Sequence, residues 1–138
     1  MQNIYMTQNW IQNPVLELGD THTDTRGSIK SLLSFIQPTV GSIVIIDSKK
    51  DTIRANHYHK TDWHYCYVLS GQIHYYARAV ESKEDPVKTI INTHQLFYTP
   101  PLTEHAMYFP GDSSFITFGG GTRRQEDYEA DLVRVQLI

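Results

Sequence analysis

The sequence lacks several features that would assign it to a specialised class of protein. Cys66 is the only cysteine among 138 residues, so no internal disulfide can form. The formal net charge is −3 and no run of Lys and Arg is present, which argues against a nucleic-acid partner. No apolar run approaches the roughly 18 residues of a membrane span. The N terminus lacks the basic and apolar regions of a secretory signal, so we expect no membrane partner and a cytoplasmic location.

Helix-forming patterns are also scarce, and short segments rich in Val, Ile, Thr, Tyr and Phe fill most of the chain. The predicted strands cover residues 28–36, 41–47, 52–59, 63–69, 72–80, 89–93, 95–99, 105–109, 114–119 and 131–137. A single short helix is predicted after Thr122. Many short strands separated by polar turns predict an all-β sandwich or barrel, and the length fits one domain. We expect this domain to span residues 1–138, with an N-terminal arm over residues 1–22 and a β-barrel over residues 23–138.

Four histidines are the most informative residues present. His57, His59 and His64 fall within one short segment, and His105 follows the rigid pair Pro100–Pro101. Alternate residues of a strand share a face, so His57 and His59 point the same way, about 7 Å apart. Neutral imidazole binds zinc, nickel and iron, and four converging rings predict a divalent metal site. The alternative is a polar pocket of histidines that bind no metal.

The two histidine segments resemble the two motifs of the cupin superfamily. RANHYHKTDWHYCYVLSGQI (residues 54–73) has the spaced histidines of the first motif, with His64 where a glutamate is usual. YTPPLTEHAMYF (residues 98–109) has the proline and the histidine of the second motif, at Pro100 and His105. The departures from the second motif are Leu102, Phe109 and His94. The resemblance implies a cupin jelly-roll β-barrel with the four histidines pointing into its mouth.

Three separated segments resemble sugar-nucleotide cupins more closely. TDTRGSIKSLL (residues 23–33) is similar to the Asp-x-Arg-Gly segment of the dTDP-4-dehydrorhamnose 3,5-epimerases and dTDP-sugar 3,4-ketoisomerases, in which the arginine holds phosphate. RANHYHK (residues 54–60) and YEADLVRV (residues 128–135) resemble ketoisomerase segments. The resemblance implies an isomerase or epimerase of a nucleotide-linked keto-sugar in surface-polysaccharide biosynthesis. Those two families do not use a metal, so the four-histidine set departs from both.

The residue types present suit that chemistry. Moving a ketone along a sugar ring needs a base to remove a proton beside the carbonyl and an acid to return one. His57 and His59 are the candidate pair, unless they bind a metal, and Tyr76 and Tyr128 are candidate hydroxyl donors. Arginine binds phosphate through a planar fork, so the candidate substrate-binding residues are Arg26, Arg54 and Arg123.

Two other functions stay open at this stage, together with an expected assembly. Residues 98–105 (YTPPLTEH) are compatible with the archaeal cupin-type phosphoglucose isomerases, which implies a metal-dependent sugar-phosphate isomerase. A module that binds a metal or a sugar without turnover is the non-enzymatic alternative. Apolar side chains at outward positions of the predicted strand over residues 63–69 predict a homodimer. They are Trp63, Tyr65, Tyr67 and Leu69.

Overall fold

The computed structural model of the protein describes residues 9–33 and 39–138. Its strands are β1 (Val15–Leu16), β2 (Thr21–Asp24), β3 (Gly27–Lys30), β4 (Ser42–Ser48), β5 (Thr52–His59), β6 (His64–Ser70), β7 (Ile73–Ala79), β8 (Val87–Ile91), β9 (Leu96–Thr99), β10 (Thr103–Phe109), β11 (Ser113–Gly119) and β12 (Leu132–Arg134). One short helix, α1 (Gln125–Asp131), precedes β12. The all-β prediction is confirmed, and the predicted short helix follows Thr122. The last three residues of the predicted strand over 28–36 lie outside the described residues.

Two five-stranded antiparallel sheets enclose the core. The first has the order β1-β9-β6-β11-β4 and the second the order β12-β5-β10-β7-β8. Along β7 and β11, buried residues alternate with more exposed ones, as expected when one face of a sheet is buried. The core residues come from both sheets: Cys66, Val68, Ile73, Tyr75, Ala77, Ile91, Phe97, Phe109 and Phe115. This arrangement places β5, β6 and β10, which carry the four histidines, around one end of the core.

The described part of the predicted arm, residues 9–22, contributes to the main fold. Strand β1 pairs with β9 at the edge of the first sheet, and Leu16 is 6% exposed. Strands β2 and β3 form a separate, fully exposed hairpin from Thr21 to Lys30. The predicted boundary between arm and barrel therefore falls inside a hairpin, and part of the predicted arm completes a sheet. Among the described residues, no helix is long and apolar enough to span a membrane.

The outer face of the first sheet is partly covered by the chain itself. Tyr65 is only 3% exposed, because it packs on Tyr98, whose ring also contacts Trp10. Ile43 and Ile45 on the edge strand β4 remain 64% and 65% exposed. Tyr65 therefore needs no second subunit to cover it, which weakens one of the reasons for predicting a homodimer.

Candidate functional site

Three of the four predicted histidines meet at one end of the barrel. His57 on β5 lies directly opposite His105 on β10, and His59 follows on the same face as His57. The ring centroids of His57 and His59 are 4.8 Å apart, as are those of His57 and His105. One nitrogen from each ring lies within 4.8 Å of the other two. The two distant sequence segments therefore supply one buried group of three imidazoles.

His64 lies beside this group but outside it. Its ring centroid is 4.7 Å from that of His59. However, its Nε2 lies 3.3 Å from a carboxylate oxygen of Asp62. His64 stays a predicted metal ligand, but the close group of ring nitrogens from His57, His59 and His105 does not include it.

His59 is hydrogen-bonded to the carboxylate of Asp131, a residue that was not among the site residues predicted from the sequence. Its Nδ1 lies 3.2 Å from Oδ2 of Asp131, the last residue of α1. Asp131 also accepts hydrogen bonds from the backbone and hydroxyl of Thr61 and from the backbone of Asp62. Burial tends to raise the pKa of Asp131, but these hydrogen bonds outweigh it and lower the pKa. Since an ionised carboxylate only accepts hydrogen bonds, His59 Nδ1 is the donor, and Nε2 is left without a partner.

Burial keeps all four imidazoles neutral near pH 7. Loss of solvation lowers the pKa of His57 to about 2 and that of His105 to about 4. It also lowers the pKa of His59 and His64, although Asp62 and Asp131 act in the opposite direction on His59. Neutral imidazole is the form that accepts a proton and the form that ligates a metal.

Tyr128 and Arg123 complete the site from the segment that contains α1. The Tyr128 ring centroid lies 5.5 Å from that of His59 and 6.4 Å from that of His57. The guanidinium carbon of Arg123 lies 4.7 Å from the Tyr128 ring centroid, a cation–π arrangement. Arg123 Nε is buried without a hydrogen-bond partner. Burial raises the pKa of the Tyr128 hydroxyl, while Arg123 acts to lower it.

Other predicted site residues lie elsewhere. Tyr76 is on β7 between the inward-facing Tyr75 and Ala77, so it faces outward, where Lys88 Nζ lies 6.0 Å from its ring centroid. Strand alternation therefore places Tyr76 on the opposite face of β7 from the core, away from the three histidines with which it was predicted to act.

Two predicted phosphate-binding arginines are engaged away from the histidines. Arg26 pairs with Asp24 at 2.7 Å in the turn of the β2–β3 hairpin, and its side chain is 86% exposed. Arg54 donates to Ser48 Oγ and to the Asp47 carbonyl, both on β4. Among the three arginines, Arg123 is the one that the structure brings to the site.

A cavity of about 410 Å³ opens beside His59. Its lining residues are Thr39, His59, Thr61, Asp62, Trp63, Gly120, Gly121, Thr122, Asp127, Tyr128 and Asp131. A Cβ on Gly120 would lie 2.4 Å from Trp63 Nε1, so only glycine lets the indole pack there. The size suits a small-molecule ligand, and the indole and carboxylates supply an aromatic surface and hydrogen-bond acceptors.

Charged side chains act differently on His57 and His59. Arg134 and Arg123 act to lower the pKa of His57, whereas Asp62 and Asp131 act to raise the pKa of His59, which Arg123 also acts to lower. We call the first pair the arginine side and the second pair the carboxylate side. A ligand bound across the histidines would therefore meet both positive and negative side chains.

The fold is shared with solved structures of sugar-modifying proteins. A 3,4-ketoisomerase from Helicobacter canadensis superposes with a TM-score of 0.69 at 18% identity, covering 87% of this chain and 88% of that one. A dTDP-4-dehydrorhamnose 3,5-epimerase from Sulfolobus tokodaii gives a TM-score of 0.65 at 20% identity, covering 89% and 82%. The prediction of a cupin jelly-roll fold resembling these proteins is confirmed. At such low identity the likeness shows the fold alone.

The capsular polysaccharide assembling protein CapF from Staphylococcus aureus is also similar, with a TM-score of 0.64 at 20% identity. The match covers 89% of this chain but 32% of CapF, so the chain spans about a third of that protein's length. No family model and no curated protein sequence matches the chain.

Proposed function

We propose that the protein is an isomerase or epimerase of a nucleotide-linked keto-sugar, acting in surface-polysaccharide biosynthesis. The observation that carries the proposal is the contact between buried His59 and partly buried Asp131, beside a cavity that Tyr128 also lines. Structural similarity to a ketoisomerase, an epimerase and a capsular polysaccharide protein supports the same class of reaction.

His59 is the base in this proposal. Asp131 accepts the hydrogen bond from Nδ1, so Nε2 of the neutral ring is free to remove a proton beside the sugar carbonyl. The two nearby carboxylates stabilise the imidazolium that forms. They oppose, without cancelling, the effect of burial, which still lowers the pKa of the ring.

Tyr128 is the acid in this proposal. Its hydroxyl stays protonated near pH 7 because burial raises its pKa, and its ring lies next to both His57 and His59. When His59 removes a proton from the sugar carbon beside the carbonyl, an enolate forms. The phenol of Tyr128 can donate a proton to that enolate. His57, the other histidine of the predicted pair, is proposed to line the reacting carbons as a neutral hydrogen-bonding group.

The arginine side is proposed to hold the diphosphate of the nucleotide. The buried Nε of Arg123 has no protein partner, so it is available to a phosphate oxygen. The carboxylate side repels phosphate, so we place the sugar there, next to His59 and Trp63. Arg134, which the sequence prediction did not include, adds a second positive charge near His57.

A panel of thymidine-diphosphate keto-sugars tests the proposal. We expect the purified protein to convert at least one of them, with the product identified by NMR spectroscopy. Absence of conversion and of binding across the panel would contradict the proposal.

A divalent metal bound by His57, His59 and His105 is a second proposal for the same histidines. Their nitrogens lie close enough together, and their neutral state suits metal binding. His105 Nδ1 donates to the Thr103 carbonyl, the kind of contact that orients a ligating imidazole. A metal held there would polarise a bound carbonyl, as a metal-dependent sugar-phosphate isomerase requires.

Metal analysis separates the two proposals. If the metal is bound as we describe, the protein should contain one equivalent, which His105→Asn loses and His64→Asn retains. Turnover that survives complete chelation would favour the His59–Asp131 mechanism, whereas binding of sugar or metal without turnover would favour the non-enzymatic alternative.

A homodimer and a cytoplasmic location stay predictions. Exposed Ile43 and Ile45 on β4 support the former, since they extend the apolar outer face of the first sheet. Sedimentation at high protein concentration tests it, and a monomer there would contradict it.

A further inference from the structure

Strand β5 contains one residue more than its partner strand requires. Ala55 pairs with Ala106 and His57 pairs with His105, so Asn56 has no partner on β10. The register shifts at that point. Ala55 and Asn56 both have left-handed backbone conformations, with φ of 70° and 54°. These features define a β-bulge at Ala55–Asn56.

The bulge reverses which residues of β5 face the interior. Arg54 lies opposite Met107, which packs against the core, and it donates to the buried Ser48 of the other sheet. Even-numbered residues therefore face inward before the bulge. After it, His57 and His59 face inward, although a regular strand would turn them outward together. The extra residue is thus what puts both histidines on the inner face of β5, on the same side as His105.

The bulge is also held by specific contacts. Asn56 Oδ1 accepts hydrogen bonds from the backbone of Leu137 and of Ile138, and its Nδ2 donates to the Ile138 carbonyl. The Asn56 carbonyl accepts from the backbone of Val135. Left-handed conformation costs a residue with a Cβ about 1 kcal/mol or more, so these contacts offset a strain that a regular strand would avoid.

We propose that Ala55 and Asn56 are positioning residues, whose bulge turns His57 and His59 into the site. The inference rests on the proposed function and adds to it, because it identifies the residues that orient the histidines of the proposed active site. It concerns orientation, so it can be tested without any turnover.

The test compares two double variants by chemical modification of histidine with diethyl pyrocarbonate, read by mass spectrometry. Ala55→Val with Asn56→Val disfavours positive φ, whereas Ala55→Gly with Asn56→Gly permits it. All four site histidines are at most 8% exposed, so all should react slowly in the wild type. In the valine pair we expect His57 and His59 to react at least about tenfold faster while His64 and His105 stay protected, a local change rather than unfolding. The glycine pair should match the wild type.

Glu81→Val is the matched control, because Glu81 also has a positive φ of 70° but lies in the turn after β7. It should leave all four histidines protected. Protection of His57 and His59 in the valine pair, or equal exposure of all four histidines there, would overturn the proposal. If the double valine variant does not fold, the single variant Ala55→Val is tested instead. Faster modification of His57 and His59 with continued protection of His64 and His105 would then support the proposal, and any other pattern would overturn it.

Discussion

His57 and His59 lie two residues apart on one face of one strand, yet their surroundings differ. His59 is bonded to Asp131 and is also acted on by Asp62, whereas the charged side chains that act on His57 are Arg134 and Arg123. Burial lowers the pKa of both imidazoles, but carboxylates oppose that effect at His59. Their spacing makes the two residues equivalent in the sequence, and the carboxylate neighbours of His59 are the reason that we propose it, rather than His57, as the base.

Of the changes considered below, removing the charge of Asp131 should most strongly reduce the difference between the surroundings of His59 and those of His57. Asp131→Asn keeps the size of the side chain but withdraws the carboxylate that supports protonated His59. We expect kcat on the keto-sugar substrate to fall about a hundredfold, a typical contribution of a supported base. Asp51→Asn is the control, since Asp51 bonds to Tyr108 away from the histidines. Equal activity of the two variants would contradict the assigned role of Asp131.

The arginine side should affect binding more than turnover. Arg123→Gln removes a charge next to Tyr128, and we expect KM for a nucleotide-linked sugar to rise about tenfold with a smaller change in kcat. Arg26→Gln is the comparison, because Arg26 was predicted from sequence and pairs with Asp24 instead. Steady-state kinetics measures both, and a larger KM effect at Arg26 would reverse the assignment.

The buried state of His57 should appear as a pH dependence of stability. Its pKa is about 2 in the folded chain and near 6.5 when unfolded, so between these values the unfolded chain binds a proton that the folded chain does not. The stability associated with neutral His57 is present above pH 6.5 and is lost as the pH falls.

Urea unfolding between pH 7 and pH 5, with a chelator present, measures this loss. His57→Asn should lessen the decrease in the free energy of unfolding by about 1.4 kcal/mol per pH unit below 6.5. The same slope in both proteins would contradict burial of His57.

Segments rich in Val, Ile, Thr, Tyr and Phe were sufficient to predict most strands. The spacing of the two histidine segments predicted a group of four histidines, of which His57, His59 and His105 lie closest together. The bulge at Ala55–Asn56 was not predictable from pattern, because neither residue is glycine. Asp131 was assigned to the last strand, whereas it ends α1 and reaches His59 across the fold. Nothing in the sequence favoured Tyr128 over Tyr76 as a hydroxyl donor. The two are distinguished by the structure, in which Tyr76 lies on the outer face of β7. The positions of these residues depend on contacts between segments that are distant in the sequence, so they could not be predicted from local sequence patterns.

Solvent deuterium exchange tests the central claim most directly. In heavy water, the protein should introduce deuterium at a carbon next to the carbonyl of a thymidine-diphosphate keto-sugar. His59→Asn should abolish this exchange while nucleotide binding persists, and His57→Asn should retain part of it. Undiminished exchange in His59→Asn, or no exchange by the wild-type protein, would contradict the assignment of His59 as the base.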